Sequence, residues 1–252
     1  IKANSNLAIA ALIRQQGIGV EVASGGEMEA AFQAGFSPHD MSFAGPGKSQ
    51  VELTKAVESG IHLFSVESAD ELAKLTALAQ AAGRKISVLA RVNIAEHALQ
   101  AQEKMGGKPS QFGIDVEQVV EILRQHKSPW ITYCGIHVYA GSQILSADAL
   151  IQHFSAIYRL AKHVAQQVGF ELNSINFGGG FGIPYHAEEQ PLAVAELGHQ
   201  ICHQLQDSGI DLYLELGRYF VAESGLFLTK IETIKQSKGI NYVVTDGGIN
   251  AF

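Results

Sequence analysis

Apolar residues recur along this chain in two alternating rhythms. Short runs rich in Val, Ile, Leu and Phe predict strands at 20–23, 41–44, 63–66, 86–92, 131–138, 172–177 and 212–215. Between them, apolar positions spaced three and four apart predict helices over 5–16, 26–34, 49–59, 69–82, 116–126, 147–168 and 191–207. Leu7, Ala8, Ala11 and Leu12 mark the inner face of the first helix, with Asn4 or Ser5 placed to cap it. Gly35, Gly60, Gly83 and Gly169 each stand where a helical pattern stops. A long loop is expected over 95–110, and two further strands at 227–236 and 242–245.

Strands that alternate with helices imply a parallel sheet, because a parallel connection needs a crossover. Seven strands follow Lys2, and eight result if Ile1-Lys2 is the tail of another. Eight units make a (β/α)8 TIM barrel, whose chemistry gathers at the C-terminal strand ends. The rival is a doubly wound open sheet, which more often carries its glycine-rich loop after the first strand. Here three consecutive glycines, Gly178, Gly179 and Gly180, follow the seventh strand, where barrels often hold phosphate. Without Cβ atoms, such a loop exposes backbone N–H groups that can wrap an anion.

Charge and composition narrow the classes. A formal net charge of -7 argues against a general nucleic-acid or acidic-membrane surface. Two cysteines, Cys134 and Cys202, are too few for a disulfide framework, and both lie in apolar stretches. Buried free thiols in a reducing, cytoplasmic compartment are the expectation. No apolar run is long enough to span a bilayer, and no signal-peptide pattern opens the chain. It starts at Ile1 without Met, so it reads as cut at its N-terminus.

On the barrel reading, the strand ends carry Lys2, Glu21, Lys48, Glu67, Arg91 with Asn93, His137 with Tyr139, the glycine loop, and Glu215 with Arg218. Lys48 and Glu67 read as solvated or loop-capping, and Asn93 as bracing a turn. Arg91 and Glu215 lie in apolar strands and should be paired. A cluster of this kind at one end of the sheet favours a site.

Six motifs recur in an order that resembles one family: Lys2-Ala-Asn-Ser, Ser24-Gly-Gly-Glu27, Gly45-Pro-Gly-Lys48, Ile136-His-Val-Tyr-Ala-Gly-Ser142, Gly178-Gly-Gly180 and Glu215-Leu-Gly-Arg218. The chain looks like the barrel domain of the pyridoxal-phosphate-dependent decarboxylases of the alanine-racemase fold, among them diaminopimelate, ornithine and arginine decarboxylases. The resemblance implies a Schiff base between Lys2 and pyridoxal 5'-phosphate. It implies that Gly178, Gly179, Gly180 and Arg218 hold the phosphate, with Ser142 adding a hydroxyl nearby. Glu215 would face the pyridine nitrogen and keep the ring protonated, a stronger electron sink for decarboxylation. Alanine racemases present an arginine there instead. Arg91 and Glu27 would support the site through polar pairing, and Glu21 would stand near the lysine. No metal is implied. Residues 1–225 would form the barrel, and 226–252 the start of a C-terminal all-β domain that is incomplete here. Relatives form homodimers across which that domain supplies a cysteine.

Two departures stand out. Most relatives stack a histidine on the cofactor where this chain has Tyr139, with His137 two residues earlier and so expected on the same side of the strand. The loop 104–113 also differs from the usual diaminopimelate enzymes. Both features look similar to a branch that decarboxylates amino acids tethered to carrier proteins, and to relatives linked to exosortase systems. The expected cysteine is missing. Three readings stay open at this point: a decarboxylase of a free or carrier-tethered amino acid, a cofactor-binding homeostasis or regulatory protein without turnover, and a sugar-phosphate barrel enzyme.

Overall fold

The protein's computed structural model describes residues 1–94, 109–139, 141–205 and 208–248. Most of the loop at 95–110, Ala140 and residues 249–252 lie outside them. The chain divides into two units, Ile1–Tyr219 and Phe220–Phe252.

The first unit alternates as its sequence pattern predicts. Its order is α1 (Leu7–Gln15), β1 (Val20–Val22), α2 (Gly25–Gln33), β2 (Met41–Phe43), α3 (Gln50–Ser59), β3 (Leu63–Val66), α4 (Ala69–Ala81), β4 (Ile86–Asn93), β5 (Ile114–Asp115), α5 (Val119–Gln125), β6 (Ile131–His137), α6 (Ala147–Val168), β7 (Ser174–Asn176), α7 (Val194–Leu205) and β8 (Asp211–Tyr213). Every described strand pair of this unit is parallel, in the order β1-β2-β3-β4-β6-β7-β8, with β5 beside β4. The sheet curls in the manner of a (β/α)8 barrel, and all its chemistry-bearing ends point the same way.

Helix ends are built as the capping rules require. Ser24, Ser49, Ser68 and Ser146 each accept a hydrogen bond from the backbone N–H three residues on. At α3, Ser49 and Glu52 form a reciprocal capping box, and Glu52 also accepts from Gly25 N at 2.7 Å. One carboxylate thus ties the starts of two neighbouring helices together. In α6 the buried positions Leu150, Phe154, Ile157, Leu160, Ala161, Val164 and Val168 form a stripe three and four residues apart. Phe154 meets Phe177 edge to face at 4.7 Å, anchoring α6 directly beneath the glycine loop. Phe43, Phe64 and Phe177 are fully buried, each stabilising the fold by about 1.5–3 kcal/mol.

Four expectations are corrected. Residues 1–4 form a turn, closed by Asn4 N donating to Ile1 O at 3.0 Å, and not the tail of a strand. Asn6 rather than Asn4 or Ser5 caps α1, because its Oδ1 reaches Ala8 N at 2.9 Å. The last strand of the sheet ends at Tyr213, so Glu215 lies just beyond it. Cys134 is buried, but Cys202 is exposed on α7, whose inner face is taken by residues such as Leu197.

The second unit contains an antiparallel pair, β9 (Ile231–Ser237) and β10 (Ile240–Thr245). Lys238 and Gly239 turn it with positive φ values of 49° and 82°, a conformation that suits a tight hairpin. Among the described residues no helix is long and apolar enough to cross a membrane.

Candidate active site

The parallel strands deliver their terminal side chains to one mouth, where two groups of charges form. The first lies over β2, β3 and β4. Lys48 has a side chain 0% exposed, and its Nζ meets Gly45 O at 2.6 Å, Ser65 O at 2.9 Å and Glu71 Oε1 at 2.7 Å. All three ammonium hydrogens therefore have acceptors. Glu67 pairs with Arg91 Nη1 at 2.8 Å through Oε1 and accepts from Gly113 N at 2.9 Å through Oε2. The Arg91 guanidinium also sits 5.0 Å from the centre of the Phe112 ring. Lys48 and Glu67 are thus buried and paired, not solvated. Long charged side chains whose strand ends face one another close on their partners rather than on water. Arg91 is paired as expected, and Asn93 Nδ2 donates to Asp115 Oδ1 at 3.0 Å, joining β4 to β5. Glu27 closes the first turn of α2, its Oε2 accepting from Ala23 N at 2.7 Å.

The second group lies over β1, β6, β7 and β8. Ligand atoms of Glu21, His137 and Glu215 come within 4.8 Å of one another. His137 is 1% exposed, and its Nε2 stands 3.0 Å from Glu215 Oε1. Its Nδ1 stands 3.0 Å from Ser65 Oγ. Asn176 Nδ2 donates to the same Glu215 Oε1 at 2.7 Å. Burial pushes the Glu215 carboxyl upward, but His137 and hydrogen bonds from His137, Glu21 and Asn176 outweigh it and hold the pKa well below the usual range. Glu21 goes the other way. Burial, followed by the charge of Glu215 and the hydrogen bond to it, raises Glu21 well above the ordinary value, against the pull of Arg91 and Lys48. Two carboxyl groups this close oppose each other's ionisation, which pushes Glu21 up while its other partners hold Glu215 down.

The glycine loop runs against this cluster. Glu215 N donates to Gly178 O at 2.8 Å, and a Cβ on Gly179 would lie 2.5 Å from Glu215 O. Gly178 and Gly180 have φ of 66° and 99°, left-handed conformations that glycine adopts without strain. Gly178 N is taken by Asn176 Oδ1 at 2.8 Å. Gly179 N and Gly180 N have no acceptor among the described residues. Ser142 is exposed on the adjoining segment, which joins the loop where Ile144 N donates to Gly180 O at 2.8 Å. Arg218, at the start of α8 (Gly217–Val221), donates to the Tyr185 hydroxyl at 2.7 Å and lies 5.8 Å from that ring's centre.

Lys2 is exposed, and its neighbour Ala3 packs against Gly217, two residues past Glu215, so close that a Cβ added at Gly217 would be 3.0 Å from it. Among the described residues no hydrogen bond or ion pair engages the Lys2 amine, unlike that of Lys48. Tyr139 lies two residues beyond the end of β6 and is 49% exposed, whereas His137 is buried within the strand. The strand ends at His137, so strand alternation does not extend to Tyr139. Sequence reasoning assigned no role to Ser65 or Asn176. Asn176 stood directly before the glycines, while Ser65 is an ordinary strand residue and gave no signal.

These groups suit pyridoxal phosphate. A carboxylate held by a histidine and an amide, two loop N–H groups without an acceptor among the described residues, and an arginine three residues past that carboxylate are donors and acceptors of the kind this cofactor needs, and Lys2 offers an amine. Glu21 Oε2 is buried with no hydrogen-bond partner among the described residues, an orphaned polar atom at this site.

Comparison with known proteins agrees with this reading. Residues 1–222 match the family described as pyridoxal-dependent decarboxylase, pyridoxal binding domain. The chain is 36% identical to an L-glutamyl-(BtrI acyl-carrier protein) decarboxylase of Niallia circulans, covering 99% of this chain and 60% of that protein. It is 31% identical to a diaminopimelate decarboxylase of Pseudomonas fluorescens, again over 99% and 60%. The crystal structure of diaminopimelate decarboxylase from Helicobacter pylori, complexed with L-lysine, superposes with a TM-score of 0.81 at 30% identity, covering 99% of this chain and 63% of that one. The chain thus spans about three fifths of these relatives' length. Fold, cluster and match together lead to one conclusion: the chain belongs to the pyridoxal-dependent decarboxylases and carries their pyridoxal-binding domain.

Proposed function

We propose that this chain is the cofactor-binding part of a pyridoxal-phosphate-dependent amino-acid decarboxylase. Lys2 supplies the amine that holds the cofactor aldehyde. Gly179 N, Gly180 N and Arg218 hold the phosphate, with Gly178 shaping the loop and the Ser142 hydroxyl beside it. Glu215 takes the ring nitrogen, and Tyr139 offers an aromatic face at the rim. Arg91, Glu21 and His137 maintain the electrostatics around Glu215.

When bound, pyridoxal phosphate supplies an electron sink for the carbanion left at Cα as carbon dioxide departs. The chain's own part follows from its charges. Glu215 stays anionic in a buried setting, so it can keep a proton on a nitrogen facing it. Glu21 retains its own proton and does not compete for that one. His137 Nε2 and Asn176 Nδ2 hold Glu215 Oε1 from two sides, which fixes the direction of the carboxylate. Lys48 takes no part as an amine, because its three hydrogens are spent.

The single observation that carries this reading is the Glu215 carboxylate, held by His137 Nε2 at 3.0 Å and Asn176 Nδ2 at 2.7 Å and joined through its N–H to the glycine loop. The greater identity to the Niallia protein, together with Tyr139 in the histidine's usual place, supports a carrier-tethered aminoacyl substrate. The protein acts in the cytoplasm as a homodimer, with residues 1–225 as the barrel and 226–252 opening a β domain. The test is carbon dioxide release by the full-length protein from L-glutamyl carrier protein, free L-glutamate and meso-diaminopimelate. Release from the tethered acid alone is the expected result. Release from a free acid alone overturns the carrier part. A yellow protein that releases nothing from any of them is a cofactor binder without turnover. Light scattering tests the dimer.

A further inference from the structure

Asn176 ends β7 and is buried, yet both ends of its amide are in use. Nδ2 donates to Glu215 Oε1 at 2.7 Å, and Oδ1 accepts from Gly178 N at 2.8 Å. A third bond, from Glu215 N to Gly178 O at 2.8 Å, closes a ring between the ends of β7 and β8. The amide can face only one way. An ionised carboxylate only accepts and a backbone N–H only donates, so a flipped amide would set like against like at both ends. Aspartate has the same shape, but would need a proton to donate to Glu215 or would place two anions in contact.

We propose that Asn176 is a positioning residue that couples the carboxylate at the cofactor ring to the loop at the cofactor phosphate; this rests on the site assignment proposed above. The negative charge of Glu215 draws on the Nδ2 hydrogens. The amide polarises, and Oδ1 becomes a stronger acceptor for Gly178 N. Gly178 N–H is thereby committed to the protein, and the loop is held with the next two N–H groups open. Such coupling is reciprocal: whatever loads the loop is felt at Glu215 to the same extent. The other groups around the carboxylate are Glu21 from β1 and His137 from β6, with Lys48 and Arg91 acting on Glu21 from the first charge group. None of the hydrogen bonds described joins any of them to the glycine loop.

The test is a double-mutant cycle in the full-length protein freed of cofactor. Inorganic phosphate is the probe, and hydrogen exchange at the Gly178 amide is a second readout. E215Q should weaken phosphate binding about fivefold and speed Gly178 exchange in the wild-type background. In the N176A background, E215Q should change neither. An equal effect in both backgrounds overturns the proposal, since the coupling would then run through the Glu215 N–H to Gly178 O bond. No effect in either background overturns it as well. Should N176A fail to fold, N176D keeps the shape but cannot donate to Glu215 as an anion, so there E215Q should not weaken phosphate binding; a weakening equal to that in the wild-type background overturns the proposal. If phosphate does not bind the cofactor-free protein, the assignment of the loop as a phosphate site falls, and Gly178 exchange alone decides the coupling.

Discussion

The two charge groups at the mouth of the sheet meet at one residue. Ser65 gives its carbonyl to Lys48 and turns its hydroxyl toward His137. On the β2–β4 side every described charge is answered within the protein. Lys48 has three acceptors, and Glu67 has a guanidinium and a backbone N–H. On the β6–β8 side the answers stop short. Glu21 Oε2 has no partner among the described residues, and neither do two loop N–H groups. Closed networks brace a frame, whereas incompletely answered ones have something left for a ligand. Burial still raises Glu71 above the ordinary carboxyl value although Lys48 opposes it, so even the closed group carries a desolvation cost.

The largest effect should come from opening the closed side. Lys48→Met strands Glu71 in the interior and is expected to cost about 3–5 kcal/mol of folding stability, read from urea unfolding. Glu71→Leu added to it should recover most of that loss. If Lys48→Met instead leaves stability intact and abolishes cofactor binding, the division between frame and site is wrong.

Glu215→Gln should behave in the opposite manner. Carbon dioxide release is expected to fall by about 10²–10³-fold, accompanied by the loss of only the stability that the ionised carboxylate contributes at neutral pH. A loss of stability without a loss of turnover would return Glu215 to the frame.

Proton linkage sharpens the contrast. Glu21 has a raised pKa, so it contributes stability that is fully present at acid pH and is lost as pH rises through that raised value. Glu215 has a lowered pKa, so its contribution is present above the ordinary carboxyl range and is lost as pH falls toward its own value. Unfolding free energy of the cofactor-free protein should therefore decline with pH above the ordinary carboxyl range. Glu21→Gln should flatten that decline, and an unchanged slope would mean that Glu21 holds no proton.

The smallest effect belongs to a carboxylate outside both groups. Glu52→Gln weakens the cap of α3 and its tie to Gly25, for a loss of about 1 kcal/mol in stability and none in turnover.

Much of this was legible along the chain. Each helix and strand predicted after Lys2 in the first unit exists, because period and capping are local properties of neighbouring residues. Glu215, Arg218 and the glycines stand in motifs whose order identifies the family. Other features were not legible. Lys48 and Glu67 read as solvated or loop-capping in sequence; both do hold loop backbone but are buried in ion pairs, because their partners Glu71 and Arg91 arrive on other elements. Asn176 looked like the first residue of a loop motif, and its partner lies on the next strand. Residues 1–4 read as the tail of a strand and instead form a turn, with Asn4 N donating to Ile1 O and Asn4 Oδ1 accepting from Asn6 N ahead of α1.

By itself the sequence determined the alternation of elements, the parallel class of the sheet and the family, since all three follow from the order of residues. Tertiary structure alone decided which lysine is spent and which acid is pushed up and which held down. Those outcomes depend on distance and burial in space. Glu21 and Glu215 stand at opposite ends of the chain, and only the curl of the sheet brings them close enough for one charge to exclude another.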